Sequence, residues 1–383
     1  MTSALRIVIL GYIVRGPLGG LVWHHLQYVL GLHRMGHDVL FLEDSEDYAA
    51  CYDPDDNVMT TDPGYGLRFI QDVFSRYGLE AKWAYFDQHT QTWHGRTAAE
   101  VESFCRSSDI LLNLSGVNPL PDFVFDIPAR LFIDTDPVFT QVRHLTDPQA
   151  LRRAKQHTHF FTFGENFGRP GCRIPDDGLP WQPTRQPVVP DVWPVVPGDA
   201  SAPWSTILQW DSYREAVWQD QHFGMKSASF DAYGALPVRS GETIELAIGS
   251  ATAPRDRLTQ DGWILRDPLA ITRTPWTYQT FIRQSKAEWS IAKHGYVVSR
   301  SGWFSERSLA YLASGRPVLV QDTGFSDWLE TGAGILTFND MEECLAGMQD
   351  ICQQYEYHQQ QARRRVETEF KASKVLNHLL RCL

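Results

Sequence analysis

Two adjacent histidines near the start of the chain are candidates for proton-transfer chemistry. His24 and His25 fall near the beginning of a helix predicted from residue 21 to residue 35. An imidazole whose pKa lies near neutrality can take a proton from a hydroxyl group. His25 shares an apolar helical stripe with Val22 and Val29, so packing inside the fold is the competing role.

Carboxylates follow two predicted strands in the first half of the chain. Asp134 and Asp136 come directly after a strand predicted over 130–133, and Glu165 follows another over 159–163. The carboxyl ends of parallel strands meet at one edge of a sheet, where open α/β folds bind ligands. The aspartates could line a cleft, bind a divalent cation as an Asp-x-Asp pair, or cap the following turn. Glu165 could line the same cleft or cap its own loop.

The region from residue 288 to residue 325 carries the strongest signal for binding a phosphate group. The elements predicted there are a strand over 296–299, a helix over 304–314 capped by Ser305, and a buried strand over 318–320. A glycine loop between a strand and a helix N-terminus offers free amides and a positive helix end to a diphosphate. Ser301, Gly302 and the first helical amides are therefore predicted to bind a diphosphate.

The same helix and the loop after the next strand contain further candidates, each with a structural alternative. Glu306 could accept hydrogen bonds from ribose hydroxyls, or only interact with the helix dipole. Arg307 could pair with a phosphate oxygen or with a surface carboxylate. In the loop Gln321-Asp322-Thr323-Gly324, Asp322 could bind sugar hydroxyls or cap a helix over 325–330.

Two lysines are the best candidates to neutralise a pyrophosphate. Lys226 ends the run Phe223-Gly224-Met225-Lys226, and Lys293 precedes the predicted strand over 296–299. The charge that develops on a departing diphosphate must be neutralised by some positive group. Either lysine could supply that charge, and an ordinary surface position is the alternative for each.

Strands that alternate with helices supply the scaffold for these residues. A strand over 6–10, a loop that contains Gly19 and Gly20, the helix over 21–35 and a strand over 39–42 form one βαβ unit. Further β/α elements follow. Nine of the 22 prolines fall within 169–203, which predicts an irregular linker. Two domains are therefore predicted, residues 1–195 and 196–383, as expected for a chain of 383 residues.

Two segments near the C-terminal end resemble a known family. Ser301-Gly302-Trp303-Phe304-Ser305-Glu306-Arg307 and Leu312-Ala313-Ser314-Gly315-Arg316-Pro317 resemble the donor-binding half of GT-B glycosyltransferases of the bacterial group 1 type. The loop Gln321-Asp322-Thr323-Gly324 stands where that family places a sugar-contacting loop. The resemblance implies an α/β fold of two Rossmann-like domains facing across a cleft, with a C-terminal helix that crosses back onto the N-terminal domain.

The resemblance also implies an activity. A member of this family moves a sugar from a nucleotide-sugar donor, here a UDP, GDP or dTDP sugar, to an acceptor hydroxyl, and needs no further cofactor. Inverting members often place a catalytic histidine near the start of the first helix, which points to His24 or His25. Gly19, Gly20 and Glu165 would then belong to the acceptor side.

The aspartate pair and the two family glutamates refine this expectation. Metal-binding Asp-x-Asp motifs belong to GT-A enzymes, so Asp134 or Asp136 is expected to line the acceptor cleft or orient the histidine, without a metal. Retaining members carry an E-x7-E pattern, whose two positions align with Gly302 and Ala310, and Glu306 matches neither. Inversion is slightly favoured. A nucleotide-sugar 2-epimerase of the same architecture and a non-catalytic nucleotide-sugar-binding protein stay open as alternatives.

Composition narrows the partners that we expect. The net charge is −11 and no block of Lys and Arg stands out, which predicts no nucleic-acid partner. No apolar run could span a bilayer, so we expect no membrane partner and a soluble small-molecule acceptor. Six scattered cysteines without a C-x-x-C pair predict a reduced, cytoplasmic protein without zinc. The loop over 16–20 lacks G-x-G-x-x-G spacing, which disfavours a dehydrogenase. The oligomeric state stays open.

Overall fold

A computed structural model describes residues 4–383. Its strands are β1 (Arg6–Leu10), β2 (Asp38–Asp44), β3 (Cys51–Asp53), β4 (Val58–Thr60), β5 (Trp83–Asp87), β6 (Thr92–His94), β7 (Ile110–Leu114), β8 (Ala129–Asp134), β9 (His159–Thr162), β10 (Trp181–Pro183), β11 (Trp204–Gln209), β12 (Ala216–Trp218), β13 (Gln221–Phe223), β14 (Ile244–Gly249), β15 (Ile264–Arg266), β16 (Glu288–Ser290), β17 (Val318–Gln321) and β18 (Ile335–Phe338). Its α-helices are α1 (Gly19–Arg34), α2 (Gly64–Ser75), α3 (Ala98–Arg106), α4 (Phe139–Thr146), α5 (Pro148–Ala154), α6 (Ser227–Phe230), α7 (Leu236–Ser240), α8 (Arg255–Gln260), α9 (Pro268–Thr272), α10 (Pro275–Gln284), α11 (His294–Val298), α12 (Glu306–Ala313), α13 (Met341–Gln353), α14 (Tyr355–Arg365) and α15 (Ala372–Arg381).

The N-terminal domain is built on an eight-stranded sheet in the order β10-β9-β8-β7-β1-β2-β5-β6. Its strand pairs are parallel except for β5 with β6. Strand β1 is buried on both faces: Ile7 and Ile9 belong to one apolar cluster, and Val8 and Leu10 belong to another. Burial on both faces explains why this strand reads as a continuous apolar run.

The C-terminal domain has a six-stranded parallel sheet in the order β15-β14-β11-β16-β17-β18. Helix α12 connects β16 to β17 by way of the loop over 299–305. The carboxyl ends of the strands in both sheets therefore face the space between the domains, where α/β folds bind ligands.

Helix α1 joins the two domains, because it packs against helices from the C-terminal half of the chain. A Cβ on Gly31 would lie 2.6 Å from a Leu376 methyl and 3.0 Å from the Cβ of Ala372, so only glycine allows α15 to approach this closely. At the other end of α1, the Trp23 indole N–H donates to the Pro275 carbonyl, 3.1 Å away. The expected crossing of the C-terminal helix back onto the N-terminal domain is confirmed.

The prediction of a strand over 296–299 is wrong. Those residues lie in α11, whose first amides, His294 N and Gly295 N, donate to the carbonyls of Met225 and Gly224. The strand beside β17 is β16 instead. Its sequence Glu-Trp-Ser looks polar although all three residues are buried, because the Glu288 carboxylate has an internal partner described below. Local β-propensity was overridden here by tertiary contacts.

The proline-rich segment over 169–203 is more ordered than predicted. It contributes β10 to the edge of the first sheet, and the Trp181 indole N–H donates to Asp177, 2.8 Å away. The predicted domain boundary between 195 and 196 falls between β10 and β11. The helical tract near the C-terminal end is divided into α13, α14 and a π-helical turn over 366–370. The hairpins β3–β4 and β12–β13 had no sequence prediction.

None of the helices in residues 4–383 combines the length and apolar character needed to cross a membrane.

Candidate active site

A cavity of about 1270 Å³ lies between the two domains. The N-terminal domain lines it with α1, the segment after β8 and residues 186–193. The C-terminal domain lines it with the ends of β11 and β14 and the first turns of α12. Among the described residues, no group of three metal-ligating side chains lies close together.

The two candidate histidines occupy different environments. His24 lines the cavity, is 7% exposed, and neither of its ring nitrogens has a hydrogen-bond partner. His25 is fully buried: its Nδ1 lies 2.7 Å from the Leu21 carbonyl, and its Nε2 accepts from the Tyr12 amide at 3.3 Å. Both ring nitrogens of His25 are thus used by the backbone, whereas those of His24 are free to meet a ligand.

The pKa of His24 reflects three influences. Burial is the largest and lowers the pKa below its usual value, while the negative charge of Glu306 and the nearby Gln186 side chain raise it. The Gln186 side chain also donates to the His24 carbonyl, 3.0 Å away. A neutral imidazole is therefore the resting form of His24 near pH 7, as a general base requires.

Asp134 and Asp136 also separate into different environments. Asp134 is fully buried and accepts four hydrogen bonds, from the amide of Asp136 and the side chains of Thr140, Gln141 and Thr162, all within 3.0 Å. These four hydrogen bonds stabilise the backbone at the carboxyl end of β8. Asp136 lines the cavity and reaches across it to the C-terminal domain.

The contacts of Asp136 form a clasp between the domains. Its carboxylate pairs with the Lys293 ammonium at 2.9 Å and accepts hydrogen bonds from the hydroxyls of Tyr213 and Tyr296. The Lys293 ammonium also lies 4.9 Å from the ring centre of Phe139, 4.4 Å from that of Tyr213 and 5.3 Å from that of Tyr296. Lys293 is thus neutralised by a partner from the other domain.

Lys226 differs from Lys293 because it has no partner. It lines the cavity and, within residues 4–383, forms neither an ion pair nor a side-chain hydrogen bond. Burial lowers its pKa well below the usual value, and the nearby positive charges of Arg307 and Lys293 act in the same direction. An unpaired, partly buried ammonium is costly unless an anion binds beside it.

Arg307 lines the cavity but is largely committed to structure. Its guanidinium pairs with Glu288 at 2.5 Å, donates to the Ile207 carbonyl at 2.8 Å and hydrogen-bonds the Ser290 hydroxyl. The charge pair explains how Glu288 can be fully buried in β16. Of the two predicted roles of Arg307, the carboxylate contact is present, although the carboxylate lies in the core.

The loop at Ser301 and Gly302 is closed by the N-terminal domain. The Ser301 amide donates to the Tyr296 carbonyl at 3.1 Å and the Gly302 amide to the Thr323 carbonyl at 2.9 Å. A Cβ on Gly302, whose φ is +76°, would lie 2.8 Å from the Asn166 amide carbon. These two amides are already hydrogen-bonded within the protein, so they are not free to bind a diphosphate. Ser305, which caps α12 by accepting from the Arg307 amide, does line the cavity.

The loop over 322–324 supports its neighbours and does not line the cavity. Asp322 accepts from the Gly324 amide at 2.8 Å and from the Ser326 hydroxyl at 2.6 Å, so its carboxylate is used within its own loop. The short helical turn over 325–327 begins after Gly324, without a side-chain cap. The Thr323 hydroxyl donates to the Trp303 carbonyl at 2.6 Å. Asn166 donates to the Gly324 carbonyl at 2.8 Å and so ties this loop to the N-terminal domain.

Two of the three predicted acceptor-side residues lie at domain contacts. A Cβ on Gly19 would lie 2.5 Å from the Thr274 carbonyl oxygen, so this glycine lets α1 meet α10. Gly20 lines the cavity beside Tyr278. Glu165 forms an ion pair with Arg185 and does not reach the cavity.

Several residues of the cavity had no sequence prediction. Gln186 lies within the proline-rich segment, and Tyr296 was assigned to a strand. Trp303 lies inside the predicted diphosphate motif, and its indole nitrogen is buried without a partner. The motif in which Trp303 lies is the one sequence signal that could have identified this residue.

Comparison with solved structures identifies the fold. An α-glucosyltransferase in complex with UDP and a 13-mer DNA shares 9% identity over 100% of this chain and 99% of that chain, with a TM-score of 0.58. HepE from Anabaena, in complex with UDP and glucose, shares 12% over 99% of both chains with a TM-score of 0.54. Sucrose-phosphate synthase from Thermosynechococcus elongatus shares 11% over 98% of both chains with a TM-score of 0.52. No protein-family model and no curated protein matches the sequence. The predicted GT-B fold is confirmed.

The expectation that excluded nucleic acid as a partner is wrong. It rested on a net charge of −11 and on the lack of a basic block. A solved chain of the same fold, aligned over its whole length, binds DNA together with UDP. The overall charge of a two-domain chain therefore does not decide which acceptors can reach its cleft.

Proposed function

We propose that the chain is a glycosyltransferase that moves a sugar from a nucleotide-sugar donor to an acceptor hydroxyl in the cavity between its domains. One observation carries the proposal: an unpartnered base, His24, and an unpartnered cation, Lys226, line the same cavity from opposite domains. Neutral imidazole and free ammonium are the groups that such a transfer needs on its two sides. The solved neighbours that bind UDP support the donor class.

In the proposed reaction, the anionic diphosphate of the donor lies against the C-terminal domain. Lys226 neutralises the charge that develops on the diphosphate as it leaves, and the first turn of α12 with its Ser305 cap borders the same space. No metal is required for this step. Lys293 adds positive potential, although Asp136 already pairs with it.

His24 acts on the acceptor. Its free ring nitrogen takes the proton from the acceptor hydroxyl, whose oxygen then attacks the anomeric carbon of the sugar as the bond to the diphosphate breaks. Attack from the side opposite to the leaving group inverts the anomeric configuration. Gln186 keeps the His24 backbone in place, and the buried setting keeps the imidazole neutral before transfer.

The decisive experiment measures turnover of a donor panel made of UDP, GDP and dTDP sugars, with and without EDTA. We expect thermal stabilisation by one nucleotide class, slow donor hydrolysis in water, and transfer when acceptors are added. The acceptor panel pairs small alcohols and glycosides with a hydroxymethylated DNA duplex. Product NMR reads the anomeric configuration.

Five outcomes would contradict the proposal in different parts. Absence of binding by every nucleotide sugar would remove the donor site. Binding without any turnover would indicate a binding protein, and isomerisation of the donor without an acceptor would indicate an epimerase. Retention of the anomeric configuration would remove the single displacement, and loss of turnover in EDTA would remove the metal-free leaving-group step.

A further inference from the structure

Glu306 is the only acidic side chain of the cavity lining, within residues 4–383, that has no partner. Three acids line the cavity. Asp136 is engaged by Lys293 and two tyrosines, and Asp267 caps the Leu269 amide at 2.9 Å. Glu306 stands exposed in the first turn of α12 and forms neither an ion pair nor a hydrogen bond. An unpaired carboxylate that faces a ligand cavity is available to the ligand.

The position of Glu306 is central, because its charge acts on groups from both domains. Burial is the largest influence on the pKa of each group, and the charge of Glu306 is a further influence on all of them: Tyr12, His24, Lys226, Tyr278, Tyr296 and Arg307. Tyr12 and His24 belong to the N-terminal domain, and the other four belong to the C-terminal domain. The carboxylate therefore lines the same cavity as the proposed base and the proposed phosphate ligand and acts on both.

The cationic side chains and the Glu306 carboxylate of the cavity favour different chemical groups of a ligand. Lys226 and Arg307 line the same cavity as Glu306, and neither forms an ion pair with its carboxylate. A ligand that satisfies both sides has negative charge at one end and hydroxyl donors at the other. Hydroxyl groups bind carboxylates through short, charge-assisted hydrogen bonds.

We propose that Glu306 binds hydroxyl groups of the transferred sugar and so helps to select the donor. This inference rests on the proposed glycosyl transfer. The ribose of the donor also carries hydroxyls, but it lies on the nucleotide side of the diphosphate, away from the acceptor. The transferred sugar is the part of the donor that must lie between His24 and Lys226, and Glu306 lines the cavity that these two residues share.

The test compares ligands with and without the sugar. Calorimetric titration of wild-type protein and the Glu306→Gln variant uses UDP-glucose and UDP, or the GDP or dTDP pair if the protein prefers that base. We expect the substitution to weaken UDP-glucose by about tenfold or more, as for the loss of a hydrogen bond to a charged group. UDP should bind equally well or more tightly, because a negative charge near its diphosphate has been removed.

A matched control tests whether the loss of a glutamate charge in the first turn of a helix is by itself enough to change ligand binding. Glu356 is exposed in the first turn of α14 and does not line the cavity, so Glu356→Gln should change neither affinity. Equal weakening of UDP-glucose and UDP would place the carboxylate at the ribose and overturn the inference, as would unchanged affinity for both. The proposed transfer would survive either result, since wild-type protein would still bind the donor. Failure of the wild-type protein to bind any nucleotide sugar would overturn both proposals.

Discussion

The two walls of the interdomain cavity differ in charge. The C-terminal domain contributes five basic side chains to the lining, namely Lys226, Arg255, Arg266, Lys293 and Arg307, whereas the described lining from the N-terminal domain contains no Lys or Arg. A ligand with one anionic end is therefore oriented before any specific contact forms. The wall from the N-terminal domain has one acidic side chain among the described residues, Asp136, together with His24 and several aromatic side chains.

The basic wall is itself uneven, because most of its cations already have partners. Arg307 pairs with Glu288, Arg266 with Glu245 and Lys293 with Asp136. Arg255 donates to the carbonyls of Ser250 and Ile248. Lys226 alone has no such contact within residues 4–383. A cationic side chain that is paired in the free protein contributes to the stability of the fold. One that is unpaired is available to stabilise a complex with an anionic ligand.

Among substitutions in the two walls, the largest effect is expected when the proposed base is removed. His24→Gln should lower the rate of transfer by about 10²- to 10⁴-fold, since that is the usual contribution of general-base catalysis. Donor affinity should stay within about twofold, because the donor lies against the other wall. Single-turnover kinetics and donor titration separate the two quantities.

His25→Gln is the matched control for this prediction. Its ring is bonded to Leu21 and Tyr12, so the change should lower the melting temperature, while donor binding and rate per folded molecule change little. The wild-type rate should fall only below about pH 6.5, since burial lowers the pKa of His24. Equal rates for wild type and His24→Gln would exclude His24 as the base.

The second prediction compares substitutions of Lys226 and Arg307, which lie on the same wall of the cavity. Lys226→Met should weaken donor binding by about 10- to 100-fold, as for the loss of a charged hydrogen bond. It should also raise the melting temperature at pH 7. The pKa of Lys226 is lower in the folded protein than in the unfolded protein. At pH 7, which is below the unfolded-state pKa, the protonated lysine therefore favours the unfolded state, and this effect is absent when the side chain is Met.

Arg307→Met should have the opposite signature. It leaves the Glu288 carboxylate buried without a partner, which should lower the free energy of unfolding by about 3–5 kcal/mol. Chemical unfolding and donor titration on both variants provide the comparison. A destabilised Lys226→Met variant with normal donor affinity would reverse the roles assigned to the two cations.

The smallest effect is expected at the clasp that joins the walls. Asp136→Asn removes the charge opposite Lys293 at a partly exposed site, so the free energy of unfolding should fall by about 1 kcal/mol. The difference should shrink in high salt, because the pair is accessible to ions. Thermal unfolding at low and high salt measures it, and an unchanged difference would mean that the two tyrosine hydroxyls hold the clasp without the charge.

Some site residues could be predicted because their chemistry is local. A histidine in the first turns of α1 and a lysine after a glycine are visible in the sequence, and both line the cavity. Their partners are not visible: Asp136 meets Lys293 across 157 positions, and Asn166 reaches Gly324 across 158. The glycine loop at 301–302 has the right pattern for a phosphate, yet Asn166 from the other domain occupies its open side.

The sequence by itself determined the apolar strands β1, β2, β8, β9 and β17, the helices α1 and α12 and the two-domain α/β order. Apolar runs, glycines and caps act over a few residues, and neighbouring residues suffice to encode them. Only the tertiary structure decided that His24 lacks a partner while His25 has two, and that Lys226 is free while Lys293 and Arg307 are paired. Pairing depends on which distant side chain fills the space beside a group, and that space forms only when the two domains pack together.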